Sequence, residues 1–217
     1  MPFETNVFIN CPFDDQYIEL LRPILFSVLY LGFDARIALE RSDSGESRID
    51  KIVELITESR FGLHDLSRLK ATKKGEYFRL NMPFELGVDY GCKAFKGDAW
   101  STKKILILEA ESHRFKAAIS DLSGSDIAVH KNEAVTVCSE VRNWLAQELG
   151  NDTPGPSAVW GRFNEFMSDN YVALTGRGYS PSDVEAQPMG ELIVCMRQWV
   201  DDHPWRQSSG QATVAPQ

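Results

Sequence analysis

The fold class follows from three segments of the sequence: Phe61-Gly-Leu-His-Asp-Leu-Ser67, Asn81-Met-Pro-Phe-Glu-Leu-Gly87 and Lys104-Ile-Leu-Ile-Leu108. The first and third segments are apolar runs of strand length, and the second begins a helix, so the predicted order is strand, polar loop, helix, strand. Glu85 falls in the first turn of this helix, beside the carboxyl ends of the flanking strands. Open parallel sheets bind their ligands at that edge. Glu85 is therefore the first candidate for a catalytic residue.

Strands and helices alternate along the first 150 residues. Apolar runs predict strands at residues 6–10, 33–39, 61–66, 104–108 and, at the edge, 126–129, and helical periodicity predicts helices at about 14–31, 49–59 and 133–149, with a short one at 115–119. This alternation indicates the α/β class, with a flavodoxin-like, doubly wound parallel sheet and right-handed crossovers.

A second unit is predicted after a segment rich in Pro and Gly, Gly150-Asn-Asp-Thr-Pro-Gly-Pro156. Residues 1–150 are assigned to the α/β domain, residues 151–207 to a C-terminal helical extension, and residues 208–217 to a disordered tail. Because two helices cannot enclose a core alone, we expect the extension either to pack back on the sheet domain or to form a subunit interface. A homo-oligomer is expected on the same grounds.

Composition narrows the range of partners. The 217 residues are 43% apolar and carry 23 basic against 31 acidic side chains, a net charge of -8. This charge disfavours nonspecific binding to nucleic acid or to an anionic membrane, and favours a small-molecule partner. The sequence contains no secretory signal and no apolar stretch of membrane-spanning length, which predicts a cytoplasmic protein. The four cysteines are scattered without a CxxC pair, so neither a disulfide framework nor a metal site is predicted.

The position of Glu85 in its helix suits chemistry at a sugar carbon. Asn81 is a good N-cap residue and Pro83 is tolerated in the first turn, which places Glu85 about four residues into the helix. The helix dipole and the free amide donors favour an ionised carboxylate there. Such a carboxylate can attack an anomeric carbon or stabilise a developing oxocarbenium ion. The alternative is a Glu that only complements the helix dipole.

Several side chains near the strand ends are candidates for substrate binding. Asp65 ends the third strand, where it either faces the crevice or caps the next turn. Arg48 can hold an anion through its planar fork, although a solvated loop is the plainer interpretation. The full set of predicted substrate-binding residues is Asn10, Pro12, Phe13, Asp43, Arg48, Asp65, Asn81 and Met82. No glycine lies in the first strand-to-helix loop, so a Rossmann dehydrogenase is disfavoured. A pair of Cys11 with His64 as nucleophile and base is a remote alternative.

Four motifs together resemble a known superfamily. They are Phe8-Ile-Asn-Cys-Pro-Phe13, the loop from Asp43 to Arg48, His64-Asp-Leu-Ser67, and Pro83-Phe-Glu-Leu-Gly87 before a strand. In this order they resemble the superfamily that joins nucleoside 2-deoxyribosyltransferases and TIR domains, over about residues 5 to 130. The deoxyribosyltransferases carry an Asp six residues before the corresponding Glu, and Arg79 stands there in this chain, so the contacts to the base are undefined.

The resemblance implies both a catalytic residue and a reaction. In that superfamily a Glu at the start of a helix is the catalytic carboxylate, and Glu85 matches it by its Glu-Leu-Gly context. The implied activity is N-glycosidic bond cleavage or transfer on NAD or a related nucleotide or nucleoside, in the manner of an NAD hydrolase, with a role in bacterial antiviral defence. NAD would be the substrate, and no cofactor or metal is called for. A non-catalytic module that senses a nucleotide or binds a protein partner is the alternative.

Overall fold

The computed structural model of the protein describes residues 2–40, 45–68, 80–117, 119–122 and 124–206. Within these ranges one sheet is formed by β1 (Asn6–Asn10), β2 (Asp34–Arg36), β3 (Phe61–Asp65), β4 (Lys104–Glu109) and β5 (Ile127–Val129). The strand order is β2-β1-β3-β4-β5, and every neighbouring pair is parallel. The predicted α/β class with a parallel sheet is confirmed, and this strand order is that of flavodoxin-like folds.

The described residues also contain seven α-helices. They are α1 (Ile18–Tyr30), α2 (Arg48–Thr57), α3 (Asn81–Phe95), α4 (Ala134–Leu149), α5 (Pro156–Gly176), α6 (Pro181–Glu185) and α7 (Met189–Asp202). Helices α1 and α4 cover one face of the sheet, and α2 and α3 cover the other. Strand β1 serves both cores, because Val7 and Ile9 pack with α1 while Phe8 packs with Ile52 of α2. Apolar side chains on both faces are what a doubly covered parallel strand requires.

The C-terminal helices pack on the outer side of α1 and α4. Phe26 of α1 is the centre of this contact, with ring centroids 5.6 Å from Phe163, 5.7 Å from Phe166 and 5.7 Å from Trp199. Such aromatic pairs contribute roughly 0.5–1.5 kcal/mol each beyond the area they bury. The helical extension therefore packs back on the α/β unit, which is one of the two arrangements predicted for it.

Two predicted elements differ in the structure. The second strand, predicted over residues 33–39, is only three residues long, because this edge strand pairs with β1 alone and the chain then turns into a 3-10 helix, Ala38–Glu40. An Arg36–Glu40 ion pair of 2.8 Å holds that turn. The short helix predicted at 115–119 is a 3-10 helix, Arg114–Ala117.

The predicted tail, 208–217, lies outside the described residues. No helix in the described ranges combines the length and the apolar character needed to span a membrane.

Candidate functional site

A cavity of about 560 Å³ lies at the carboxyl end of β1, between the first residues of α2 and α3. It is lined by Cys11, Pro12, Phe13, Arg48, Leu80, Asn81 and Met82. Five of the predicted substrate-binding residues thus lie around one cavity. Its place beside β1 and β3 is the topological switch point of this sheet, because the chain winds in opposite directions from these two central strands.

A second cavity, of about 590 Å³, lies at the opposite edge of the sheet. It is lined in part by Thr5, Phe33, Phe61 and Trp205, so it lies at the amino ends of β1, β2 and β3. Ligands of open α/β sheets bind outside the carboxyl ends of the strands. The cavity next to Arg48 is therefore the candidate site, although it is slightly the smaller of the two.

Glu85 lies next to this cavity but does not line it. Its side chain is only 5% exposed, and Arg48 Nη2 donates to Glu85 Oε1 at 3.2 Å. The Arg48 side chain is 53% exposed and lines the cavity, so this guanidinium stands between the carboxylate and the open space. The guanidinium end of this pair is accessible to solvent, so the cost of separating the two groups falls mainly on the buried Glu85 carboxylate, which loses its partner.

The start of α3 differs from its prediction. Leu80 is already in helical conformation, and Asn81 is the first residue of the helix rather than its N-cap. Among the described residues no side-chain hydrogen bond from the N-cap position, Leu80, caps this end of α3, and the amide of Phe84 donates to the Leu80 carbonyl at 3.1 Å. Glu85 consequently lies just beyond the first turn, where the effect of the helix dipole is weaker than predicted.

Burial dominates the electrostatics of Glu85. Loss of solvent raises the pKa of this carboxyl above its ordinary value, and the nearby Arg48 and His64 side chains offset only part of the rise. A carboxylate that is poorly solvated interacts strongly with any positive charge that develops beside it. The site therefore contains a poorly solvated carboxyl group whose ionised form can stabilise a positive charge beside it.

Asn10 acts on the site through the backbone of α3. It is 1% exposed, and its Nδ2 donates to the Met82 carbonyl at 3.0 Å and lies 3.0 Å from His64 Nδ1. Because an amide nitrogen can only donate, His64 Nδ1 is the acceptor, and His64 Nε2 donates to Asp89 at 2.9 Å. Both N–H groups of Asn10 are thus used within the protein. Asn10 thereby ties the end of β1 to the first turn of the Glu85 helix, and its contact with substrate stays a prediction.

The hydrogen-bond network formed by Asn10, His64 and Asp89 continues away from the site. Lys103 Nζ lies 3.1 Å from Asp89 Oδ1 and donates to the Ile56 carbonyl at 2.9 Å. The side chains of His64, Asp89 and Lys103 are all fully buried. Neither Asp89 nor Lys103 was predicted from the sequence to belong to the site. The sequence feature that could have indicated Asp89 is its position four residues after Glu85, on the same face of the helix.

Asp65 lies on the other face of the sheet from Glu85. The alternation of β3 directs His64 toward α3 and Asp65 toward α1, where Tyr17 donates to the Asp65 carboxylate at 2.5 Å. The Ser67 amide donates to it at 2.7 Å, and His130 Nε2 lies 3.1 Å away. Asp65 is fully buried and is not among the residues that line the cavity. It thus caps the turn after β3, as the alternative interpretation predicted, and the structure does not bring it together with Glu85.

The remaining predictions concern Cys11 as a nucleophile, Asp43 as a substrate-binding residue and metal binding. Cys11 is fully buried, and burial, followed by the nearby Asp65 and Glu85 carboxylates, raises the pKa of its thiol well above the ordinary value. The neutral thiol packs in the core with Val7 and Ile9, and His64 is already bound to Asn10 and Asp89, so the two do not form a nucleophile and base pair. Asp43 lies outside the described residues, as does most of the long loop that follows β3. The described ranges contain no group of three or more side chains placed to bind a metal.

Acid should destabilise the fold through Asp65 and Asp89. Burial acts to raise both pKa values, but His130, Ser67 and Tyr17 around Asp65, and His64 and Lys103 around Asp89, outweigh it, so both pKa values are lowered. Groups with lowered pKa values stabilise the fold above the ordinary Asp value, and lose that contribution as pH falls through the folded value. We therefore expect the free energy of unfolding to fall below about pH 4. Urea titrations at a series of pH values will measure this, and Asp89→Asn should flatten the slope; an unchanged slope would contradict the assignment.

Comparison of the chain with protein-family models, with curated proteins and with solved structures found no match. The geometry of the site and the motifs in the sequence are therefore the grounds for a proposed function.

Proposed function

We propose that the protein cleaves the N-glycosidic bond of NAD or of a related nucleotide or nucleoside. The observation that carries the proposal is a nearly buried carboxylate, Glu85, next to a cavity of about 560 Å³ at the carboxyl edge of the sheet. The proposed role of Glu85 is to meet the anomeric carbon. The resemblance to the deoxyribosyltransferase and TIR superfamily supports this role, and a part in bacterial antiviral defence is proposed on that resemblance alone.

The chemistry needs few protein groups. In NAD the bond between the ribose C1′ and the nicotinamide nitrogen breaks, and the electron pair leaves with the base, which becomes neutral. Glu85 either stabilises the resulting oxocarbenium ion or forms a bond to C1′. Water then attacks C1′, releases a proton to solvent, and returns any bonding electron pair to Glu85. Pro12, Phe13, Asn81 and Met82 would form the walls of the binding pocket. Transfer to a second base instead of water would make the protein a transferase.

A nucleotide-sensing module is the second candidate function. The observation that favours it is the position of Glu85, which does not line the cavity and is paired with Arg48. In such a module the cavity would bind a nucleotide, and the helices packed on α1 and α4 would transmit occupancy to a protein partner. A cytoplasmic location and assembly into homo-oligomers are compatible with either function.

Release of free base separates the two functions. Purified protein is incubated with NAD and with several nucleosides, and the products are separated by chromatography. If the protein is an enzyme, base should be released continuously from at least one of these compounds. If it is a sensing module, addition of the ligand should raise the melting temperature without release of base. Because many TIR domains, which the chain resembles, act only after assembly, the assay is repeated over a range of protein concentrations, and the absence of release throughout that range would contradict the proposed enzyme.

A further inference from the structure

Arg48 occupies an unusual position for a residue that only neutralises a carboxylate. Its partner Glu85 is 5% exposed, whereas Arg48 itself is 53% exposed and lines the cavity. As the first residue of α2, Arg48 has a fixed backbone and a long side chain that can reorient. One of its five N–H donors is bonded to Glu85 in the described part of the chain, which leaves the rest for another acceptor.

A phosphate group is a better partner for this guanidinium than Glu85 is. An Arg fork binds phosphate oxygens in a bidentate way, with charge-assisted hydrogen bonds. The contact with Glu85 is a single bond of 3.2 Å, and it keeps the carboxylate covered on the cavity side. Exchange of partners would give the guanidinium two hydrogen bonds in place of one, and it would open a path from the cavity to the carboxylate.

We propose that Arg48 exchanges partners on ligand binding, moving from Glu85 to a phosphate oxygen of an anionic nucleotide, so that Glu85 is uncovered only when such a ligand is bound. The effect of this exchange on catalysis rests on the proposed function. The exchange also defines the substrate class: nucleotides with a phosphate or diphosphate group are preferred over uncharged nucleosides. Arg48 is the residue that determines this specificity.

Binding of ADP-ribose tests the exchange without any need for turnover. Calorimetry is performed on the wild type, Arg48→Gln, Glu85→Gln and the double variant. Loss of the guanidinium in Arg48→Gln should weaken ADP-ribose binding about 10- to 100-fold. In Glu85→Gln the guanidinium no longer has to leave a carboxylate, so binding should tighten about fivefold. Arg177→Gln, a change at an exposed arginine outside the cavity, should leave the affinity unchanged.

The double variant separates exchange from simple repulsion between Glu85 and the ligand. Under exchange, the gain from Glu85→Gln disappears when Arg48 is already Gln, so the two changes are not additive. If the gain persists in the double variant, or if Arg48→Gln binds ADP-ribose as the wild type does, the inference is overturned. Adenosine, which has no phosphate, should bind all four proteins alike. A non-additive cycle in a protein that releases no base from NAD would uphold the exchange while refuting the proposed cleavage.

Discussion

Replacement of Glu85 by Gln should lower the release of base from NAD by about 10³-fold or more. Gln has nearly the same shape as Glu but cannot carry the negative charge that a cationic sugar requires. The change removes one ion pair with a half-exposed Arg48, which costs about 1 kcal/mol or less. It also removes a carboxylate whose ionisation is opposed by burial. The fold should therefore persist, so a loss of turnover would be caused by the missing catalytic carboxylate and not by unfolding.

The matched control for this change is Glu191→Gln. Glu191 also lies near the start of a helix, in the first turn of α7, but it is exposed and lies on the C-terminal extension. We expect this variant to keep wild-type turnover and stability. Initial rates of base release and thermal unfolding curves are measured for both variants. Full activity in Glu85→Gln would show that Glu85 only shapes the start of α3, and would leave the sensing module as the better proposal.

The alternation of strands and helices and the loops around the cavity were accessible from sequence because local signals place them. Apolar runs and helical periodicity give the alternation of elements, and the carboxyl ends of parallel strands necessarily share one edge. Pro12, Phe13, Arg48, Asn81 and Met82 each stand one or a few residues beyond a strand or at the start of a helix. Their convergence on one cavity follows from topology alone.

The partners of the buried polar groups were not accessible in this way. Alternation along a strand requires that His64 and Asp65 point to opposite faces, but it does not say which of the two faces α3. That choice depends on the register of β3 between β1 and β4, which is a long-range property. The pairing of Asp89 with Lys103 likewise joins a helix to the segment before β4. The placement of Arg48 over Glu85 depends on how α2 and α3 pack together.

Substitution of Gly62 by Ala should be the most destabilising small change near the site. Gly62 lies in β3 on the face covered by α3, and a Cβ atom there would lie 2.0 Å from Asp89 Oδ2 and 3.0 Å from His64 Nε2. Asp89 cannot easily yield, because its carboxylate is bonded to His64 and pairs with Lys103, and all three side chains are fully buried. Disruption of a buried ion pair typically costs about 3–5 kcal/mol. We expect Gly62→Ala to lose roughly that amount, a large part of the stability of a domain.

The matched control is Gly87→Ala, which adds the same methyl group in open space. Gly87 is an exposed interior residue of α3 with no atom within 4 Å of an added Cβ. Ala has the higher helix propensity, so this variant should be more stable by about 0.5–1 kcal/mol. Unfolding in guanidinium chloride measures both variants. Because Asp89 lies one helical turn beyond Glu85, displacement of α3 in Gly62→Ala should also weaken ADP-ribose binding, whereas Gly87→Ala should not. Equal stability of the two variants would show that the carboxylate of Asp89 can move aside, and that the buried network does not fix the position of the Glu85 helix.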